Sequence, residues 1–314
     1  MLIVFGYLGM DLILPVEGLP KTDGEPARAR ALRMLPSGKG GNQAFAAARF
    51  GAKVAMVGCV GDDDFGIELT DNLKRNGAMV TGVARSDRPT GTTLVVRDKA
   101  GHTQKTIFAG ANIDTTHEQV PEEILNPQNY LLLQMELEAE QTLALLERAK
   151  ARGTHTVMNL APATSIPKKA LESLDFLIVN SNEAAIMAEK LGLPKQDNAL
   201  KLAQALSKTG DLTCIITSSR AGSYAVTPSG KAWHVPAYLT PEEDIIDISG
   251  AGDCYCGTFV AALHEGHILP DAMRYASVAA SLSIRKEGTQ SSFPFINEVE
   301  TFLHEVEEAH LVNG

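Results

Sequence analysis

Residues 156–217, TVMNLAPATSIPKKALESLDFLIVNSNEAAIMAEKLGLPKQDNALKLAQALSKTGDLTCIIT, decide the fold class. Three short apolar runs, Thr156–Leu160, Phe176–Val179 and Thr213–Thr217, are nearly continuous, as strands buried on both faces must be. Between the second and third lie two helical patterns, Asn182–Leu191 and Asn198–Lys208. Gly192 and Gly210 follow them, where a left-handed C-cap favours glycine. Strand and helix alternating in this way predict a parallel sheet with helices on both faces.

The same rhythm extends outward. Leu2–Leu8, Val54–Val60 and Tyr130–Gln134 read as further strands. Asn42–Phe50, Phe65–Asn76 and Ala139–Ala151 read as helices, closed by Gly51, Gly77 and Gly153. The last third is helical over about 251–265, 270–285 and 296–310. Two regions break the pattern, 11–36 and 90–108. The second is a hairpin, Thr92–Arg97 and Thr103–Phe108 around a turn at Asp98–Gly101. The expected architecture is a three-layer α/β/α body with a mostly parallel sheet, as one domain over 1–314. A small β lid formed by about 11–36 and 88–110 would roof a crevice and exclude water.

Composition narrows the function. With 28 Lys and Arg against 38 Asp and Glu, the 314-residue chain carries a net charge of −10. An acidic surface repels nucleic acid and anionic lipid, so neither is expected as a partner. Cys59, Cys214, Cys254 and Cys256 form no C-x-x-C pair, and they read as reduced thiols of a cytoplasmic protein. The apolar start, MLIVFGYLGMDLIL, lacks a basic leader and is interrupted by Asp11, so it reads as a buried first strand. No stretch approaches the ~20 apolar residues of a membrane span.

Three local patterns carry chemistry. Asp247-Ile-Ser-Gly-Ala-Gly-Asp253 opens a helix. Glycines there let the backbone pass close to an anion, and the first N–H groups of the helix point at it. Asp253, in the first turn, could take a proton from an attacking hydroxyl; a plain helix N-cap has the same local pattern. Ser37-Gly-Lys-Gly-Gly-Asn-Gln43 opens another helix. It matches neither a Walker A loop nor a dinucleotide fingerprint, and it exposes backbone and one amide to a polar ligand. Glu136, Asn180, Glu183 and Thr217 stand at the carboxyl ends of strands, where ligands of open parallel sheets bind. Zinc chemistry is not expected, because Gly266 ends the helix that carries His264 and no third ligand follows His267.

Together these residues resemble the PfkB, or ribokinase, family of carbohydrate kinases, nearly end to end. Asp247–Asp253 is similar to the family's D-T-x-G-A-G-D, with Ile248 in place of Thr. Gly38–Gln43 resembles its G-K-G-x-N-Q, and Gly61–Gly66 its G-x-D-x-x-G segment. Thr90-Gly91 and Gly110-Ala-Asn112 fit the lid strand and the lid's exit. Asn180-x-x-Glu183 resembles the family's N-x-x-E motif. Thr217-Ser-Ser-Arg-Ala-Gly222 stands where T-L-G-x-x-G is usual, and Cys254 and Cys256 replace the common Thr/Ala and Asn/Gly.

The resemblance implies a ribokinase-like fold and transfer of the γ-phosphate of ATP to a primary hydroxyl of a sugar. The likeness is greatest to the family's ribose-phosphorylating members. Asp253 is then the base, and Gly250, Ala251 and Gly252 offer backbone N–H groups to the phosphoryl group. Asp11, Gly38, Lys39, Gly40, Asn42 and Glu136 hold the sugar. Asn180, Glu183, Thr217, Gly222, Gly252 and Ser277 hold ATP, with Glu183 reaching Mg2+ through water. Asp247, Ser283, Lys286, Gly288 and Ser292 hold a monovalent cation, K+. A homodimer is implied, because the lid leaves a strand edge open. Another sugar or a nucleoside (fructose, deoxyribose or an adenosine-like acceptor) and a catalytically silent sugar- or nucleotide-binding regulator stay open as alternatives.

Overall fold

The computed structural model describes residues 1–22 and 24–312. Asp23, within the extended segment 11–36, and residues 313–314 of the expected domain lie outside the described residues. The chain opens with β1 (Leu2–Phe5), β2 (Gly9–Pro15), β3 (Arg33–Ser37), α1 (Lys39–Phe50), β4 (Val54–Gly61), α2 (Asp64–Arg75) and β5 (Met79–Ser86). The hairpin β6 (Gly91–Arg97) and β7 (Thr103–Phe108) follows. Next come β8 (Tyr130–Leu133), α3 (Ala139–Ala151), β9 (His155–Asn159), the short α4 (Lys168–Leu171), β10 (Phe176–Asn180), α5 (Ser181–Lys190), α6 (Ala199–Gly210) and β11 (Thr213–Thr217). The chain ends with β12 (Ser223–Val226), β13 (Ala232–Val235), α7 (Ala251–His264), α8 (Leu269–Ser283), α9 (Ile296–Leu303) and β14 (His310–Leu311).

Ten strands form one sheet in the order β14-β13-β12-β11-β10-β9-β8-β1-β4-β5. From β11 to β5 every pairing is parallel, and β12, β13 and β14 add an antiparallel edge. Alternation along each strand divides the core. Leu2 and Val4 face the layer containing α1, α7 and α8, whereas Ile3 and Phe5 face that of α3 and α6. Phe5, Phe45, Phe259 and Phe293 are fully buried, so truncating any one to Ala removes about 3–5 kcal/mol of stability. The second sheet, β3-β2-β6-β7, contains the expected hairpin and draws two strands from the segment before α1.

Several boundaries differ from the sequence reading. The run Leu2–Leu8 is not one strand: β1 stops at Phe5 and β2 starts at Gly9 in the other sheet. A Cβ on Gly6 would sit 2.1 Å from the Gln134 side chain and 2.7 Å from the Gly40 backbone. The chain therefore turns there between two crowded elements. Gly210 is the last residue of α6, and Asp211 takes the left-handed cap position at φ 51°. The helix expected over 296–310 ends at Leu303, and the chain returns as β14 to pair with β13. Strands β5, β12 and β13 have mixed burial, which hides them from a search for continuous apolar runs.

Candidate active site

Gly250 caps α7 in the left-handed region, at φ 76°, and its carbonyl accepts the Cys254 N–H at 2.8 Å. This turn aims the first N–H groups of a 14-residue helix outward. A Cβ on Gly252 would meet nothing within 4 Å, so the space beyond it is open. Asp247 ties the turn to the later loop: Oδ1 accepts the Ser249 N–H at 3.1 Å and Oδ2 the Gly288 N–H at 3.2 Å.

Asp253, in the first turn, is 6 % exposed. Both of its oxygens accept hydrogen bonds from α1. Asn42 Nδ2 donates to Oδ2 and Gln43 Nε2 to Oδ1, each at 2.9 Å. The two helices cross closely because Gly257 has no side chain; a Cβ there would lie 2.3 Å from the Gln43 carbonyl. Sequence-distant motifs thus meet at one carboxylate, 210 residues apart along the chain.

Charge gathers around this carboxylate. Lys39 Nζ is 3.9 Å from Asp253 Oδ1, and the nearby Asp253 charge holds the ammonium above its ordinary pKa. The Lys39 N–H donates to Glu136 Oε2 at 2.8 Å. Burial raises Glu136 to about 7, against the lowering influence of Lys39. Asp11, on β2, is also raised by burial, partly offset by the nearby Ser37 and Thr93 hydroxyls and the Lys105 charge. Asp11, Glu136 and Asp253 interact electrostatically, so three carboxylates and one ammonium share a site. Gly38 caps α1 at φ 93°, and Gly40 packs on the Gly6 backbone.

A crevice runs from this cluster along the carboxyl ends of the strands. Its inner part is a cavity of about 240 Å³ that includes Lys39, Asn159, Asn180, Glu183, Gly252 and Asp253. It adjoins a cavity of about 310 Å³, which shares Asn180, Thr217 and Gly252 and adds Gly222, Ala251 and Ser277. Asn180 and Glu183 form a reciprocal capping box: Asn180 Oδ1 accepts the Glu183 N–H at 2.8 Å, and Glu183 Oε2 accepts the Asn180 N–H at 2.9 Å. Burial holds the Glu183 carboxyl above its ordinary pKa.

Of the five residues expected around a monovalent cation, Asp247 and Gly288 are directly bonded. Ser292 Oγ donates to the Thr289 carbonyl, within the same loop. Ser283 Oγ donates to Ala280 within α8, and Lys286 Nζ pairs with Glu298 at 3.5 Å. The last two side chains are therefore engaged elsewhere.

The profile of the pfkB family carbohydrate kinases matches residues 1–296. The chain belongs to this family. It is 32 % identical to the ribokinase of Bacillus subtilis over 302 residues, covering 96 % of this chain and 98 % of the relative. The crystal structure of ribokinase from Thermotoga maritima is 30 % identical, with a TM-score of 0.88, and covers 96 % of this chain and 99 % of that one. The structure of Arabidopsis thaliana ribokinase complexed with ribose and ATP is 26 % identical, with a TM-score of 0.85 over 96 % and 98 % of the two chains.

In this carbohydrate kinase the glycine motif marks Asn42 and Gln43, the two amides that bond Asp253, but not the amides behind them. Gln43 Nε2 also donates to Asn159 Oδ1 at 3.0 Å, and Gln134 Nε2 donates to Gln43 Oε1 at 2.7 Å. Gln290 Nε2 donates to Asn42 Oδ1 at 3.1 Å. One signal for two of them was present: Gln134 follows the apolar β8, and Asn159 ends β9, as polar residues at a ligand-facing sheet edge do. Gln290 lies in the 286–292 stretch that the family resemblance marks, and it meets Asn42 only through folding.

Proposed function

We propose that the chain transfers the γ-phosphate of ATP to the primary hydroxyl of D-ribose, forming D-ribose 5-phosphate. The observation that carries the transfer is a buried carboxylate at a glycine-lined helix N-terminus beside an open crevice. Ribose is supported by the relatives named ribokinase and by the complex of one of them with ribose and ATP.

The residues divide the work. Asp11, Gly38, Gly40, Asn42 and Glu136 hold the sugar with its primary hydroxyl at Asp253. Asp253 takes the hydroxyl proton as the oxygen bonds to the γ-phosphorus and the bond to the β-phosphate oxygen breaks, releasing ADP. Lys39 and the N–H groups of Gly250, Ala251 and Gly252 stabilise the charge that develops on the phosphoryl oxygens. The longer cavity takes the nucleotide, with Thr217 and Gly222 at its phosphates and Ser277 toward adenine. Asn180 and Glu183 fit Mg2+, since burial makes the ionised Glu183 costly and a cation offsets that cost. Bound there, Mg2+ neutralises phosphate charge.

A panel of acceptors with ATP tests the reading: ribose, deoxyribose, fructose, nucleosides and sugar phosphates, with ADP release as the readout. Ribose is expected to give the highest kcat/KM; preference for another acceptor would overturn the substrate, and no ADP release with any would overturn the kinase. Glu136 sharpens this. With its folded pKa near 7, its ionised form accepts sugar hydroxyls at both oxygens only as pH rises through that value. Sugar affinity is therefore expected to increase from about pH 6 to 8, and Glu136→Gln to remove the dependence. Affinity that titrates identically in Glu136→Gln assigns the group elsewhere.

K+ is proposed at Asp247 and the Gly288–Ser292 loop. Asp247 is a buried carboxylate whose two observed partners are backbone N–H groups, a donor set that a large cation completes. Fixing that turn orders the N–H array, so initial rates are expected to rise in K+ relative to Na+, Cs+ or a bulky organic cation at constant ionic strength. Equal rates in all four remove the cation. The small sheet acts as the lid and as the face of a homodimer, since Met34, Leu94 and Phe108 leave apolar surface exposed on its strands. Light scattering at the monomer mass contradicts the dimer. We place the protein in the cytoplasm on its four buried, unpaired cysteines.

A further inference from the structure

Asp253 is gripped by two amide series that run in one direction. On one side Asn72 Nδ2 donates to Gln290 Oε1 at 2.6 Å, Gln290 Nε2 to Asn42 Oδ1 at 3.1 Å, and Asn42 Nδ2 to Asp253 Oδ2 at 2.9 Å. On the other, Gln134 Nε2 donates to Gln43 Oε1 at 2.7 Å, and Gln43 Nε2 to Asp253 Oδ1 at 2.9 Å. Every link ends with its N–H toward the carboxylate.

We infer that Gln290 and Asn72 are positioning residues for phosphoryl transfer: they decide which way the Asn42 amide faces, and so keep an N–H against Asp253. The inference rests on the reading of Asp253 as the base.

A primary amide has nearly the same shape either way round, so packing alone does not orient Asn42. Turned over, it would set a carbonyl dipole against a buried carboxylate and push the base out of line. The carboxylate favours the N–H, and the upstream donor fixes the same orientation from the other side, because Gln290 Nε2 needs an acceptor and finds it in Asn42 Oδ1. Gln290 is only 3 % exposed, so an unmade bond there is costly. Its own orientation depends on Asn72, in the third turn of α2. Aligned amides polarise one another, which strengthens the last bond of the series. Neither Gln290 nor Asn72 lines the two cavities of the crevice, so each acts through Asn42. The device joins α2 and the turn Gln290–Ser292 to a base carried by α7.

The direction of the series makes the test specific. Asn72→Asp keeps the shape but cannot donate. Gln290 then turns its NH2 group to the new carboxylate, offers its carbonyl to Asn42, and Asn42 turns its carbonyl onto Asp253. Asn72→Leu removes one link without reversing the rest. Steady-state kinetics with ATP and ribose, and Tm, are measured for both variants and for Gln290→Glu. Asn72→Asp is expected to lower kcat about tenfold and Asn72→Leu less than about threefold, both with KM for ATP near wild type. Gln290→Glu, which removes the donor to Asn42 directly, is expected to lower kcat about 10–100-fold. A merely structural role predicts the opposite order at position 72, with kcat following Tm. That order, or wild-type kcat in Gln290→Glu, overturns the inference. Should Gln290→Glu not fold, the two variants of the half-buried Asn72 decide alone. Asp253→Asn in the same series separates the two readings. If it is inactive while the amide variants keep wild-type kcat, only the positioning role fails; if it is active, the base assignment fails first.

Discussion

Asp253→Asn is expected to lower kcat by about 10²–10⁴-fold, the range for loss of a general base, while ATP binding persists. The carboxylate is the group in the crevice that combines a helix-start position, burial and contact with both α1 amides. An Asn side chain keeps one acceptor oxygen and places an NH2 group against the second amide donor. Some stability is therefore lost, about 1–3 kcal/mol for one unsatisfied buried donor. Calorimetry separates that loss from the kinetic one, and nucleotide titration monitors the binding half of the site. Turnover within tenfold of wild type, in a folded variant, would assign the proton to another group.

The second large effect is expected at Lys39. Its ammonium lies 3.9 Å from Asp253 Oδ1 and is drawn to a site that also holds Glu136 and Glu183. A fixed, partly buried positive charge aimed at developing phosphoryl charge is worth more than one at the surface. Lys39→Met is expected to lower kcat about 10²–10³-fold, the cost of removing one oxyanion donor, with a smaller change in KM for the sugar. Lys39→Arg is not expected to rescue it, because a planar guanidinium cannot occupy the place of a compact ammonium. Wild-type kcat in Lys39→Met, with only sugar affinity lost, would confine Lys39 to substrate binding.

Much of the fold was legible because burial on both faces leaves a plain mark. Strands such as Phe176–Asn180 and Thr213–Thr217 are largely apolar, and helices such as α3 carry their period within themselves. The chemistry of the first turn of α7 was legible for a related reason: glycines and an Asp at a helix start constrain the backbone locally. What remained hidden depends on which elements come together. The edge strands β12 and β13 have no continuous apolar run, and the short β14 exists as a strand only through pairing with β13. Gly6 breaks the first apolar run because α1 and Gln134 crowd it, which no window of sequence around residue 6 contains. The grip on Asp253 is decided in the same way. Asn42 and Gln43 stand in the glycine motif, but their joining in series with Asn72, Gln134 and Gln290 is decided only by the crossing of α1 over Gly257 on α7, which brings the series to the carboxylate. Local propensity and burial period are properties of neighbours in the chain. The direction of a hydrogen-bonded series belongs to neighbours in space, and those are set by the packing of the whole molecule.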